Sequence, residues 1–324
     1  VNTFEYSLLD DHRLKLTALG ISEIVGYELE GDQLKLIFED GYNLYLRKDA
    51  NLPEEGKEQT LIEKIIEIVR NDKNQVSSLD GMELILVPAG EFPMGCARSH
   101  HGGRLCVSQE LPLHTVYLDA YYIDKYEVTN AQYSLCVESE ACEVPQFANS
   151  VNGSSWEYWV HPEFDSHPVV FVTWYDAQDY CKWAGRRLPT EAEWEKAARG
   201  ETIKAFPWGD EIPDCSFTNF DATVFSDDES VCVGGTSRVG SYPIDTSTYG
   251  VMDMGGNVSE WVNDWYSHYK ETENLNPIGP VNGQEKSYRG GNWYTFYVQV
   301  AGRHSLTPDR YSGYLGFRCA SSIP

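Results

Sequence analysis

Eight cysteines, set mostly in close pairs across polar loops, constrain this chain of 324 residues more than any other feature. Cys96 and Cys106 bracket ARSHHGGRL, Cys136 and Cys142 bracket VESEA, and Cys215 and Cys232 flank the loop after FPWGDE. Cysteines in such segments read as a disulfide framework, because unpaired structural thiols sit in apolar core runs. No Cys-x2-Cys spacing or Cys/His quartet suggests zinc. Bridges of this kind staple folds with long loops, and they form in oxidising compartments. The expected location is extracellular, periplasmic or the cell surface, while a cytoplasmic one stays open.

The charge balance narrows the partners. A formal net charge of −25 opposes binding to nucleic acid, which requires cations to displace counterions. It also opposes anionic membrane surfaces. It is compatible with calcium, which takes hard oxygen ligands. No apolar run of eighteen residues occurs, so no membrane span is expected. No signal peptide is visible, and removal of an upstream signal or anchor stays open.

Two regions differ in character. Residues 1–75 contain no cysteine and no tryptophan and read as a small α+β module of unknown role. YELEGDQLKLIFEDGYNLYL (27–46) alternates apolar and polar residues around Gly31-Asp32 and Asp40-Gly41, which predicts a three-stranded meander. TLIEKIIEIVR (60–70) predicts a helix with Leu61, Ile62, Ile65, Ile66 and Val69 on one face. Residues 76–324 read as short strands joined by long aromatic-rich loops. Thr129 and Thr173 are positioned to cap helices from Asn130 and Trp174, and Gly185 to end the second. Thr190 with Glu193 forms a capping box for EAEWEKAAR, which Gly200 stops.

Five segments carry a family resemblance: PAGEFPMG (88–95), GRRLPTEAEWEKAARG (185–200), FPWGDE (206–211), MDMGGNVSEW (252–261) and the C-terminal stretch from SYRGGNW (287–293) to GFRC (316–319). Together, in this order, they resemble the formylglycine-generating enzyme or sulfatase-modifying factor family. The resemblance implies an α+β, loop-rich, C-type-lectin-like fold over 76–324. It also implies that Cys181 pairs with Cys319, which lets all eight cysteines form four bridges. In the family the MDMGGNVSEW motif wraps calcium. The matching residues are Asn257 and Glu260, with backbone from Gly255, Gly256 and Val258. Asn219 and Phe220 match part of a second calcium site, whose completing Asp is absent near Val231.

Catalytic members of that family carry a copper-binding cysteine pair just after the RGG(S/N)W turn. Here the stretch is Tyr294-Thr295-Phe296-Tyr297-Val298-Gln299-Val300, without cysteine, so no copper is expected. Arg289, Arg303 and Arg318 read as fold-holding residues whose guanidinium groups satisfy loop carbonyls. Between these anchors lie eleven positions: 294–297, 304–306 and 311–314. They are rich in Tyr, Ser and small residues, as binding loops are. All eleven avoid Lys, Glu, Gln, Met and Trp, the types that mutation at template adenines does not yield. That resembles variable proteins diversified by retroelements. The expected ligand-binding residues are Trp293, Tyr294, Phe296, Tyr297, His304, Leu306, Tyr311 and Tyr314, with Trp156, Tyr158 and Trp159 as additions. An ordinary packing role for these rings is the competing reading.

The function expected is a non-catalytic ligand- or protein-binding domain that meets an unknown protein or cell-surface ligand. One alternative is a copper-dependent oxidase acting on a substrate cysteine. The other is an iron-dependent sulfoxide synthase, disfavoured because 1–75 holds only His12 where that family has a His-rich iron-binding module.

Overall fold

The computed structural model describes residues 75–100, 105–146, 158–159, 161–224, 232–270 and 274–323, and five backbone strands within 1–74. The chain divides into two units, Val1–Asn74 and Gln75–Pro324. In the first, β1 (Glu5–Asp10), β2 (Arg13–Ala18), β3 (Ile21–Glu30), β4 (Gln33–Ile37) and β5 (Asn43–Arg47) form an antiparallel sheet in sequence order. Glu30 of β3 pairs with Gln33 of β4, and the turn expected at Gly31-Asp32 lies outside the described residues. The meander predicted over 27–46 is β3 to β5, and two strands precede it. The helix expected at 60–70 lies outside the described residues.

Two four-stranded sheets organise the second unit. One has the order β15 (Ala320–Ser322), β10 (Tyr121–Asp124), β7 (Glu83–Val87), β6 (Gln75–Val76). The other has the order β13 (Arg303–Leu306), β12 (Lys286–Arg289), β11 (Ser259–Trp265), β14 (Leu315–Phe317), with β11 and β14 parallel. β8 (Gly90–Met94) and β9 (His114–Leu118) pair antiparallel as a separate two-stranded sheet. Three α-helices are described: α1 (Asn130–Glu138), α2 (Trp174–Trp183) and α3 (Glu191–Arg199). Each starts where its capping threonine predicts. Thr129, Thr173 and Thr190 accept from the N–H three residues on, and Gln132, Asp176 and Glu193 reach back to the cap. A cap of this kind is worth about 1 kcal/mol.

All nine residues of α3 are buried, including Glu191, Glu195, Lys196 and Arg199. Its charges are tolerable there because each finds a partner. Glu191 is held by Arg303 (2.5 and 2.7 Å) and Arg289 (3.0 Å). Glu195 is held by Arg289 (2.5 Å) and Arg199 (2.8 Å). The guanidinium neighbours hold both carboxyls below the usual range despite burial. Arg289 and Arg303 are thus fold-holding, as their sequence setting suggests.

All eight cysteines are bridged: Cys96–Cys106, Cys136–Cys142, Cys181–Cys319 and Cys215–Cys232, with Cα separations of 5.2–5.7 Å. The Cys181–Cys319 bridge ties α2 to the strand end before β15. It lies in a core with Tyr133, Tyr180, Trp261 and Phe317. Among the described residues no helix is long and apolar enough to cross a membrane.

Candidate functional site

The C-terminal segment alternates between two environments. Every residue of 298–303 and of 315–320 is buried, whereas none of the eleven positions in 294–297, 304–306 and 311–314 is. The buried stretches carry Arg289, Arg303 and Arg318 contacts, and they hold the intervening loops in place. Arg318 pairs with both oxygens of Glu260 (2.7 and 2.8 Å) and donates to the carbonyls of Asp124, Lys125 and Met252.

Rings on the less buried positions meet one another. Tyr294 stacks on Tyr314 (6.3 Å between centroids). Phe296 lies against Tyr297 (4.2 Å), Tyr297 against His304 (6.0 Å), and His304 stacks on Tyr288 of β12 (5.2 Å). Tyr288 and Tyr314 both pack against the same core, and burial, then the neighbouring Tyr314, raises the Tyr288 hydroxyl. Tyr294 is 67% exposed and Tyr311 37%. Phe296, Tyr297, His304, Leu306 and Tyr314 are half-buried, and Leu306 and Tyr314 pack on the core with their inner sides.

Trp293 departs from the expectation. It is 5% exposed, packs on Val170, Phe171 and Val258, and donates its indole N–H to Gly313 O (3.1 Å). It is an anchor under the face. Tyr158 and Trp159 are likewise spent on packing: the Tyr158 hydroxyl donates to Pro168 O, and Trp159 sets its edge against Tyr133. Trp156 lies outside the described residues. Gly313 is also fixed, since a Cβ there would stand 2.8 Å from the Phe171 ring.

The MDMGGNVSEW segment is buried throughout its glycine turn. Gly256 faces Thr218 and Asn219, where a Cβ would come within 2.5 Å of a backbone oxygen. Gly255 donates to Asp245 (3.0 Å), and Val258 belongs to the core. The two side chains expected to ligate calcium are otherwise engaged. Glu260 has both oxygens on Arg318 and accepts from the Trp194 indole N–H (2.8 Å). Asn257 accepts from Ser237 N (2.8 Å) and from Asn219 Nδ2 (3.3 Å), and donates to Glu127 (3.1 Å). The Phe220 carbonyl accepts from Cys232 N. The reason is long-range: Arg318, 58 residues on in sequence, claims Glu260.

Oxygens without partners lie beside them. Glu127 Oε2 and Asn219 Oδ1 are fully buried and make no hydrogen bond. Burial, then repulsion by Asp253, holds the Glu127 carboxyl well above the usual range. Burial raises Asp253 to about 6 and, with the Asp253 charge, Asp245 to about 7. Several carboxyls thus share a dry site with one guanidinium, Arg318. Such an arrangement favours either protons or a hard cation. The sequence gives no local hint of it, since Glu127 and Asn257 are 130 residues apart.

Capped short helices, two small sheets with one parallel pairing, and disulfide-held loops define a C-type-lectin-like domain of the formylglycine-generating-enzyme type. The chain belongs to the sulfatase-modifying factor enzyme 1-like domain family, whose profile matches residues 70–323. It is 34% identical to a formylglycine-generating enzyme of Streptomyces coelicolor, over 73% of this chain and 88% of that one. It is 33% identical over 321 residues to a serine/threonine-protein kinase pkn1 of Chlamydia pneumoniae, covering 94% of this chain. The chain spans 47%, about half, of that relative's length. The solved Treponema denticola variable protein 1 shares the fold, with TM-score 0.58, 22% identity, and 77% and 98% of the two chains covered.

Proposed function

We propose that this chain is a non-catalytic binding domain that presents the face made by 294–297, 304–306 and 311–314 to a protein or cell-surface ligand. The observation carrying the reading is the alternation of burial: the eleven positions, together with 307–310, stay accessible between buried anchors, and their rings pack in two groups, Tyr294 on Tyr314 and Phe296 on Tyr297 on His304. Tyr and Trp rings at the centre of an interface commonly dominate its energy. The copper-oxidase alternative needs thiolates for Cu(I), and every sulfur of this chain's cysteines lies in a disulfide. The bridges support an oxidising compartment.

Two tests separate the readings. Tyr294→Ser with Tyr311→Ser is expected to leave the melting temperature within about 2 °C, because both rings are exposed. The same pair is expected to lower affinity for a binder selected against this face by at least about tenfold. Unchanged affinity counts against the face. Aldehyde formation on a sulfatase-type cysteine peptide, with copper and oxygen supplied, overturns the non-catalytic reading.

A second reading concerns context. The match to the chlamydial kinase covers 94% of this chain, against 73% for the Streptomyces enzyme, so it takes in residues of the first unit as well. That favours a recognition portion within a longer kinase-bearing protein. ATP-dependent phosphoryl transfer by the full-length gene product tests it, and a product without that activity counts against it.

Calcium fits the neighbouring acids better than the pair expected from the motif. The residues proposed to hold it are Glu127 and Asp253, with the free amide oxygen of Asn219. The cation supplies positive charge to a site where several carboxylates otherwise repel. Carboxyls with raised folded values bind more protons folded than unfolded between about pH 4 and 7. In chelator, the melting temperature is therefore expected to fall as pH rises through that window. Millimolar calcium at pH 7.5 is expected to restore it. Glu127→Gln removes the charge but keeps the shape, so it is expected to abolish the calcium gain without lowering the chelator value. Equal melting with calcium and chelator refutes the site.

A further inference from the structure

Around the aromatic face, charges are sorted by depth. Positive groups are drawn inward. Lys286 is 5% exposed and lies between the rings of Trp174 and Trp265, 3.9 and 4.0 Å from their centroids. Arg289, Arg303 and Arg318 are buried too, and each is paired with a buried glutamate. Negative groups stay outside. Asp309 sits exposed between the accessible segments 304–306 and 311–314. Glu285 is exposed at the edge, where Oε2 accepts from the Ser305 hydroxyl (2.5 Å). Asp221 donates its backbone N–H to Thr295 O (3.1 Å), which sets a third carboxyl-bearing residue beside 294–297. The backbone N–H of Trp174 is held by Pro308 O (3.1 Å), which brings the first turn of α2, with Asp176, against 307–310. Among the described residues, the carboxyls of Glu285, Asp221 and Asp176 take hydroxyl and backbone N–H donors from Ser305, Thr223 and Thr173 rather than cations. Arg310 is the single Lys or Arg between 304 and 314.

The rings favour the same sign of partner. A tyrosine face carries the negative side of its quadrupole and attracts a guanidinium or ammonium group. Tyr294 and Tyr311 are exposed, and Tyr175, on the turn of α2 that Pro308 holds, adds a third such ring at 51%. Arginine stacks its planar group on a ring of this kind while its N–H groups reach a carboxylate. Lys286 between its two tryptophans shows the same attraction inside the domain.

We infer, on the binding role proposed above, that the partner of this face is a basic protein segment. Its Arg and Lys side chains stack on Tyr294, Tyr311 and Tyr175, while Glu285, Asp309, Asp221 and Asp176 balance their charge. The rings supply most of the affinity. The carboxylate rim speeds encounter and rejects acidic partners. Tyr175, which no motif of the C-terminal segment announces, thereby belongs to the binding surface.

Fluorescence anisotropy of three labelled peptides with the whole chain tests this. Each peptide alternates glycine with one other residue, Arg, Ser or Glu. The Arg peptide is expected to bind saturably and at least about tenfold more tightly than the other two, with affinity falling as salt rises. Tyr294→Ser with Tyr311→Ser is expected to weaken that binding by at least about tenfold. Glu285→Gln with Asp309→Asn is expected to weaken it by about fivefold, as two exposed charge pairs do. Glu91→Gln with Glu138→Gln removes the same charge from β8 and α1 and is expected to change it by less than about twofold. All six side chains are exposed, so unchanged melting is expected for every pair. Equal weakening by the two carboxyl pairs assigns binding to overall charge and overturns the basic partner. So does an Arg peptide no tighter than the Glu peptide, or one that ignores the tyrosine pair. The face itself is judged apart: a selected binder that loses affinity with the tyrosine pair but not with the Glu285 and Asp309 pair leaves the face standing and removes its preference for a basic segment.

Discussion

Replacing Cys181 and Cys319 together by alanine is expected to destabilise residues 75–324 by about 5 kcal/mol, the largest effect of any bridge. The two residues are 138 apart in sequence. Closing so long a loop removes much of the unfolded chain's freedom, about 5 kcal/mol in the chain-entropy description. The cysteines are also fully buried among Tyr133, Tyr180 and Phe317, so removing the sulfurs leaves space that the neighbours fill only in part. The Cys136–Cys142 bridge closes a loop of only six and is expected to contribute about 2 kcal/mol by the same relation. Urea unfolding of the two alanine pairs measures the difference. Equal losses contradict the entropic account and assign the stability to local packing.

Arg318→Met is expected to cost about 5 kcal/mol and to leave much of the population unfolded at 37 °C. The side chain is fully buried, and it neutralises Glu260 while satisfying three carbonyls. Removing one partner of a buried pair typically costs 3–5 kcal/mol, because the other charge stays behind. Here Glu127 and Asp253 lose the same counter-charge. Arg318→Met with Glu260→Met is expected to recover part of the loss, since no charge then remains at that pair. It does not recover all of it, because the carbonyls of Asp124, Lys125 and Met252 still lack their donor. A double mutant as stable as the parent assigns no weight to those carbonyls. Calcium present during the measurement is expected to soften the single mutant's loss, as a second source of positive charge beside the acids.

The sequence exposes local structure far better than the long-range pairing of charges. Thr129, Thr173 and Thr190 give the helix starts because a cap and its partner are three residues apart. The pairing of β3 with β4 is legible for the same reason, since both strands sit inside one alternating pattern. Glu260 is different. Its motif reads as a metal ligand, yet its partner is Arg318, and only the parallel pairing of β11 with β14 brings the two elements together. Glu127 and Asp253 show the same limit, being buried acids whose proximity no local spacing announces. Trp293 and Tyr294 are neighbours of similar composition with opposite fates. One anchors on Phe171 and Val258, and the other points outward, a distinction set by the turn after Gly291. Gly291 is held between Gly255 O and Tyr297 O, so the chain has no freedom to exchange them.

The alternation of buried and accessible stretches in 293–320 has a practical consequence for engineering. A recombinant library on this scaffold can randomise the codons for 294–297, 304–306, 311, 312 and 314 while leaving the hydrogen-bonded anchors untouched. Codons 293 and 313 belong to the constant framework, because the indole N–H of Trp293 is held by the carbonyl of Gly313 and a side chain at 313 would displace the Phe171 ring. A display library that holds those two positions fixed is expected to yield a larger folded fraction than one that varies them, and so a stable chassis for selecting new binding specificities.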